Sequence, residues 1–366
     1  YRISKEGIDW EVEEQDDPWS HIGYWGDHQI IYLQKLLELS RDYHPGRLRG
    51  LLRQQTFCYA NVPYRISTFE EQVDDPKHTV VFDHALARDI EQRSDAMGAD
   101  GKLVLGNDGD VYQVTLLEKL LVPLLGKLGN LVIDGGIWLN TQRPEWTDAN
   151  NALVGHGLSM VTLFYMRRYI GFLQDLLAPE TDAFALTPEV RQWLTDTTAA
   201  LGRARTVLGA TPVSAQQRFE VLAELGQSAS RYRQVIYHRE SFGTTVEQPP
   251  AGILTMLDDA LAAIDPSIGT NRRDDGLYQA YPLLDLGAEA ADVDTLYPLL
   301  EGQVAALSAG AMPADEAIAL LEALFNSELY RPDQQSFMLY PDRQLPGFLA
   351  RNRVPAEHVE SFPLLQ

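Results

Sequence analysis

The sequence predicts an all-α fold, a toroid of helical hairpins forming one domain over residues 1–366, with short β-hairpins in its loops. Three observations predict it. Apolar residues recur at the helical period in about ten to twelve segments, at about one per 30 residues, the spacing of helix pairs joined by loops. Alternating strand-like runs are scarce. No linker, low-complexity tract or strict repeat divides the chain.

In order along the chain, residues 29–43 set Ile30, Leu33, Leu36, Leu37 and Leu39 along one side of a first helix. Residues 79–93 and 115–128 read as the second and third, and 150–177 as one long helix. Residues 189–208 and 214–237 follow, the latter behind Ser214 as N-cap. Residues 252–264, 292–307 and 313–324 complete the clear set, with shorter candidates at 47–53, 281–286 and 345–351. Residues 57–64 and 102–114 are the candidate hairpins. The long loops at 16–28, 129–149, 238–251, 265–280 and 326–344 are rich in Trp, Tyr, Asp, Asn and Arg rather than Ser, Gly and Lys, which predicts order and function.

Composition excludes several partners. Lys and Arg number 30 and Asp and Glu 52, a net charge of −22. Non-specific nucleic-acid binding relies on cations neutralising phosphates, and an anionic membrane surface repels such a chain. No run of about 18 apolar residues is present, so no transmembrane helix is expected; residues 116–128 are interrupted by Glu118, Lys119, Pro123 and Lys127. The single cysteine, Cys58, excludes an intrachain disulfide framework and reads as a small buried hydrophobe. Both ends look like cuts, since Tyr1 follows no Met or signal sequence and Phe362-Pro-Leu-Leu-Gln366 is no capped helix. The remainder of a longer polypeptide is therefore an expected partner. Compartment stays open, with the cytoplasm favoured.

Four segments concentrate chemistry. Asp134-Gly-Gly-Ile-Trp-Leu-Asn-Thr-Gln-Arg-Pro-Glu-Trp-Thr-Asp-Ala-Asn-Asn151 packs three carboxylates, two Trp, three Asn, a Gln and an Arg ahead of an apolar helix. That mixture hydrogen-bonds a polyhydroxylated ligand and stacks on its apolar face. The plain reading of Asp148 is a helix N-cap. The second segment, Trp19-Ser-His-Ile-Gly-Tyr-Trp-Gly-Asp-His-Gln29, also precedes a helix, with Asp27 as its cap on the plain reading. In the third, Asn271-Arg-Arg-Asp-Asp-Gly-Leu-Tyr-Gln-Ala-Tyr281, the charges also fit a solvated ion-pair turn. The fourth is Tyr237-His-Arg-Glu-Ser-Phe242, where Glu240 also fits a paired surface acid.

Walker A, GxGxxG, HExxH and GxSxG motifs are absent. Asn107-Asp-Gly-Asp110 hints at a calcium loop, but its later positions do not supply EF-hand ligands. No metal or cofactor is expected.

Trp25-Gly26-Asp27 before a first helix and Glu145-Trp146-Thr147-Asp148-Ala149 before a later one resemble the six-hairpin (α/α)6-toroid glycosidases. The nearest likeness is the glucosidase part of glycogen debranching enzymes, with trehalase-like and cellobiose-phosphorylase-like enzymes further off. Uncharacterised bacterial relatives with segments similar to Phe337-Met-Leu-Tyr-Pro-Asp-Arg-Gln-Leu-Pro-Gly-Phe-Leu349 stand nearer still. The resemblance implies an (α/α)6 toroid acting on an oligosaccharide or polysaccharide. It implies Asp148 as general acid, Asp27 as a sugar-binding residue, and Trp25, Trp138 and Trp146 as subsite walls. Two departures stand out. Gly26-Asp27-His28 replaces the usual Arg before the Asp, and a Gly-Asp-Trp-Asn-Asp-Gly phosphorylase signature is missing.

The expected activity is an inverting glycoside hydrolase with Asp148 as acid and Glu145 as understudy, the acid's pKa raised by burial against Trp146. Candidate substrate-binding residues are Trp25, Asp27, His28, Trp138, Arg143, Trp146, Asn150 and Asn151, with Arg273, Asp275 and Tyr278 from the third segment. The base is open among Glu240, Asp275, Glu328, Asp333, Asp342 and a residue beyond Gln366, in which case the toroid is incomplete within this chain. A non-catalytic carbohydrate-binding toroid and a helical protein-interaction solenoid are the competing readings.

Overall fold

The computed structural model describes residues 3–8, 28–140, 152–209, 212–239, 241–362 and 364. Its first part holds α1 (His28–Tyr43), α2 (Arg47–Leu51), β1 (Gln55–Cys58), β2 (Tyr64–Ile66), α3 (Phe69–Asp74), β3 (Val80–Phe82), α4 (His84–Met97) and β4 (Gln113–Thr115). Then come α5 (Leu116–Leu128), β5 (Leu131–Val132), β6 (Gly136–Trp138), β7 (Leu158–Ser159), α6 (Met160–Leu177), β8 (Phe184–Leu186), α7 (Pro188–Leu208) and α8 (Ala215–Arg239). The last part is β9 (Val246–Gln248), α9 (Pro250–Thr270), β10 (Leu283–Leu286), β11 (Ala291–Asp294), α10 (Leu300–Ser308), α11 (Ala314–Phe325), β12 (Tyr330–Arg331), β13 (Ser336–Phe337), α12 (Phe348–Arg351) and α13 (Ala356–Ser361). With 54% helix in 13 helices among the described residues, the structure is mostly α. No helix among the described residues is long and apolar enough to cross a membrane.

The hub is α5. Its leucines cover more than one face, and every residue from Leu116 to Leu125 is buried. A helix apolar on all sides belongs in an interior. Thr115 caps it, its Oγ1 accepting the Glu118 N–H at 3.3 Å. Helices α1, α7 and α8 pack on α5. Tyr169 of α6 donates to the Leu120 carbonyl at 2.9 Å. Helix α9 packs on both α6 and α7. Burial of these leucine stripes, at about 25 cal/mol per Å² of apolar surface, is the main favourable term holding the helices together.

The strands are short and pair antiparallel, β1 with β4, β2 with β3, β8 with β9, β10 with β11 and β12 with β13, with β5–β6–β7 as the one three-stranded sheet among the described residues. Four expected elements differ. The helix expected over 79–93 begins only at His84, because Val80, Val81 and Phe82 pair with β2. Asp83 caps the helix, accepting from Ala85 N and Leu86 N at 3.0 Å each. The long helix expected over 150–177 starts at Met160, since Gly155 takes φ 87 and β7 joins β6. The helix expected over 292–307 divides into β11 and α10, and the one expected over 281–286 is β10, its partner strand. Conversely, α9 continues through Pro266 to Thr270, where a loop is expected. Of the candidate hairpins, 102–114 folds locally, with Leu105 bridged antiparallel to Val111 and the Tyr112 N–H donating to Val104 O at 2.9 Å, whereas 57–64 contributes to two ladders with distant partners, β1 with β4 and β2 with β3.

Candidate functional site

The β5–β6 turn and the end of α9 build the most elaborate polar cluster. Asp134, in that turn, takes φ 59, a left-handed conformation that non-glycine residues seldom adopt. It is held from three sides. Its N–H donates to Ser267 Oγ at 2.9 Å, and Thr270 Oγ1 donates to its carboxylate at 3.4 Å. Asn271 Nδ2 is shared among the carbonyls of Asp134, Gly135 and Ser267 at 2.9, 3.1 and 2.8 Å. Residues 267, 270 and 271 stand at i, i+3 and i+4, so the last turn of α9 presents all three on one face. Strained backbone tends to collect at functional sites, where the surroundings over-determine it.

Arg218 of α8 reaches the same carboxylate, with Nη2 3.8 Å from Asp134 Oδ2. The approach follows from packing, because α8 lies against both β5 and β11. The third wall is the turn after α9, where Gly276 takes φ 82. There Arg273 Nε lies 3.0 Å from Asp275 Oδ2, and its Nη1 donates to the Leu296 carbonyl at 2.9 Å. Asp275 also accepts the Leu277 N–H at 3.1 Å. With its amide oriented to satisfy both ends, buried Gln279 donates to Leu296 O at 3.1 Å and accepts from Arg273 Nη1 at 3.2 Å.

Asp134, Arg218, Thr270, Asn271, Arg273, Asp275 and Gln279, with Arg272, Asp274, Val293, Asp294 and Thr295, line a cleft of about 620 Å³. Its wall offers guanidinium, amide and hydroxyl donors beside four carboxylates, with Val293 as the one aliphatic side chain. Such a surface suits a small ligand that is dense in hydroxyl groups.

The cleft joins two of the four segments, since Asp134 opens the first and Asn271–Asp275 belong to the third. Arg273 and Asp275 are therefore in one site, bonded to each other. Tyr278 lies outside its wall. Its ring is buried edge-on to Phe164 at 5.6 Å, its backbone is bonded to the Gln303 amide at both ends, and burial raises its hydroxyl pKa. Trp138 is a core residue packed with Phe69, Leu158 and Leu284, and its indole N–H donates to Gly155 O at 3.0 Å. His28 begins α1, but its side chain is outside the described set. Trp25, Asp27, Arg143, Glu145, Trp146, Asp148, Asn150 and Asn151 lie outside the described residues, as does Glu240. Of the later candidate bases, Asp333 is ion-paired to Arg331 at 2.8 Å, which with its hydrogen bonds holds its pKa below the usual carboxylate value.

Sequence reasoning missed Arg218, Ser267, Thr270 and Asp294. The i, i+3, i+4 spacing of Ser267, Thr270 and Asn271 is a usable signal; Arg218, in the middle of a long helix, gives none.

A second cluster sits inside the core. Glu118 accepts from Tyr59 Oη at 3.0 Å, from Thr187 N at 2.6 Å and from Thr187 Oγ1 at 3.2 Å. Burial pushes its carboxyl up to about 7, against these bonds, which pull it down. No residue of this cluster lines the cleft. Among the described residues no group of three or more His, Cys, Asp and Glu side chains is placed to hold a metal ion. No family model matches the chain, and comparison with curated proteins finds no match.

Proposed function

We propose that the chain is a glycoside hydrolase acting on an oligosaccharide or polysaccharide, and that its helices belong to an (α/α)6 toroid. The observation that supports this reading is the polar cleft, in which Asp134 and Asn271–Asp275 converge from two segments whose composition already suits a sugar ligand. Its volume falls in the usual range of small-molecule sites, about 300–1,000 Å³. In this reading Arg273, Asp275, Asn271 and Asp134 hydrogen-bond sugar hydroxyls. Asp148 protonates the leaving oxygen, with Glu145 as its understudy, and Trp25 and Trp146 stack on the sugar. An inverting reaction needs a second carboxylate about 6.5–9.5 Å from the acid, with a water between them.

The test is release of reducing sugar from a panel of α- and β-linked glucans, paired with binding measured by calorimetry. Asp148→Asn is expected to abolish release and to keep binding; release that persists in this variant removes Asp148 as the acid. The anomer formed first, read by NMR, is expected to be inverted.

One observation favours a non-catalytic carbohydrate-binding domain. Asp275 is committed to Arg273, and Asp134 to Thr270 and Arg218, so two carboxylates of the cleft serve as structural acceptors. Glucan binding without release by the unmodified chain selects that reading. Neither binding nor release on any glucan rejects both.

A further inference from the structure

A second cavity, of about 250 Å³, lies between β2, α4 and the end of α8. Two sequence segments that the polar cleft leaves unused meet on its wall. Asn107 comes from the Asn107–Asp110 loop; Tyr237, Arg239 and Ser241 come from the fourth segment. In a chain with a net charge of −22, its lining holds four cations, Lys5, Arg65, Arg93 and Arg239, against one carboxylate, Asp89.

Each cation is anchored, Arg65 and Arg239 by carboxylates outside the lining. Arg65 Nε donates to Asp83 at 2.6 Å, Arg239 Nη1 donates to Glu189 at 2.8 Å, and Lys5 Nζ donates to Asn61 at 2.7 Å with Glu6 at 3.7 Å. Arg93 Nε stands 3.1 Å from Asp89. Donors remain over after these pairings: Arg93 Nη2 and Ser241 Oγ are buried and have no hydrogen-bond partner. Buried donors in native proteins are almost always paired, so two orphans on one cavity wall point to an acceptor that fills it. A guanidinium edge beside an ammonium and a hydroxyl is matched by the oxygens of a phosphoryl group. The cavity exceeds a lone oxyanion, since a water occupies about 30 Å³ of liquid. The remaining wall includes the aliphatic side chains of Leu86, Leu105 and Ile236.

We propose that this cavity binds a small organic monophosphate. Its phosphoryl oxygens accept from Arg93, Ser241 and Lys5, and its carbon skeleton lies on Leu86, Leu105 and Ile236.

Isothermal titration calorimetry of the full chain tests it, with glycerol 3-phosphate, glucose 6-phosphate, inorganic phosphate and glycerol as probes. At least one of the two organic phosphates is expected to bind at micromolar to submillimolar concentration. Inorganic phosphate is expected to bind about tenfold more weakly and glycerol not at all, as a charge-assisted site with an apolar wall requires. Arg93→Gln and Ser241→Ala are each expected to weaken binding at least about fivefold. Circular dichroism serves as the check that both variants fold, and Ser241, outside the helices, gives the milder lesion. Arg203→Gln, on an exposed face of α7 and in neither cavity, is expected to leave phosphate binding unchanged. The proposal is overturned if neither organic phosphate binds at millimolar concentration, if inorganic phosphate binds as tightly, if the Arg93 and Ser241 variants both bind normally, or if Arg203→Gln abolishes binding.

Discussion

Replacing Glu118 with glutamine changes one atom at the centre of the molecule and removes its titration. The carboxyl is fully buried and is protonated at about 7 in the folded chain, against an ordinary 4.5 when solvated. Desolvation is the leading cause, so the ionised form is the costly one. Below pH 4.5 the group is protonated in both states and carries no penalty. Between 4.5 and 7 the unfolded chain ionises while the folded chain keeps its proton, so stability falls as pH rises. Above that window the cost is constant, about 3 kcal/mol, from about 1.4 kcal/mol for each tenfold difference in proton affinity. Glutamine preserves the geometry. Its oxygen accepts the Thr187 N–H, and its amide donates to Tyr59 Oη and Thr187 Oγ1, both of which are able to accept. Urea unfolding of both proteins across the acid-to-neutral range measures the difference. The variant is expected to be equal or slightly weaker at the acid end and about 3 kcal/mol more stable well above neutrality. A difference that stays flat across the window, or a wild type that remains the more stable at alkaline pH, refutes the reasoning.

Two further substitutions address the cleft and the packing. Asn271→Ala strips three carbonyls of a shared donor and frees the left-handed turn at Asp134, so it is expected to cost about 2–3 kcal/mol in urea unfolding and to weaken glucan binding; an unchanged midpoint argues that water replaces the amide at no cost. Gly226→Ala in α8 gains about 1 kcal/mol from helix propensity alone, yet its Cβ runs into the Phe69 ring, so the expected outcome is a lower Tm by thermal melting.

The long helices were legible because burial writes itself into spacing. The leucines of α5 and the apolar residues of α6 to α9 recur at the helical period whatever packs on them. The short strands were not legible, because a run such as Val80–Phe82 becomes a strand only when Tyr64–Ile66 lies beside it, and that pairing is set by tertiary contact. The cleft was half legible. Polar density marked Asp134 and Asn271–Asp275, while Arg218 belongs to the site only because α8 crosses β5 and β11. Trp138 shows the limit of composition: an aromatic in a polar segment suits a sugar platform as well as a core, and its indole found Gly155 and the core. Glu118 misleads in the opposite sense. A charge inside an apolar run reads as a break in burial, yet it is buried, because Tyr59 and Thr187 supply its donors.

The start of α7 connects the buried carboxyl to the cationic cavity. Thr187, the cap of α7, donates to Glu118 through both its N–H and its hydroxyl, and Glu189 lies in the first turn that follows. Two carboxylates therefore crowd one helix N-terminus, whose partial positive charge favours anions but amounts to about half a unit. Their fates differ because their partners differ. Glu189 finds a cation, Arg239, and the N–H of Gly243. Glu118 finds only neutral donors, and its cheaper solution in a low-dielectric interior is to keep its proton. Arg239 thus faces two ways, neutralising Glu189 through one nitrogen and lining the cavity beside Arg93 and Lys5. In a chain this acidic, a cation placed between a buried acid and a cavity is held by the acid whether or not the cavity is filled. Asp83 and Asp89 hold Arg65 and Arg93 in the same way.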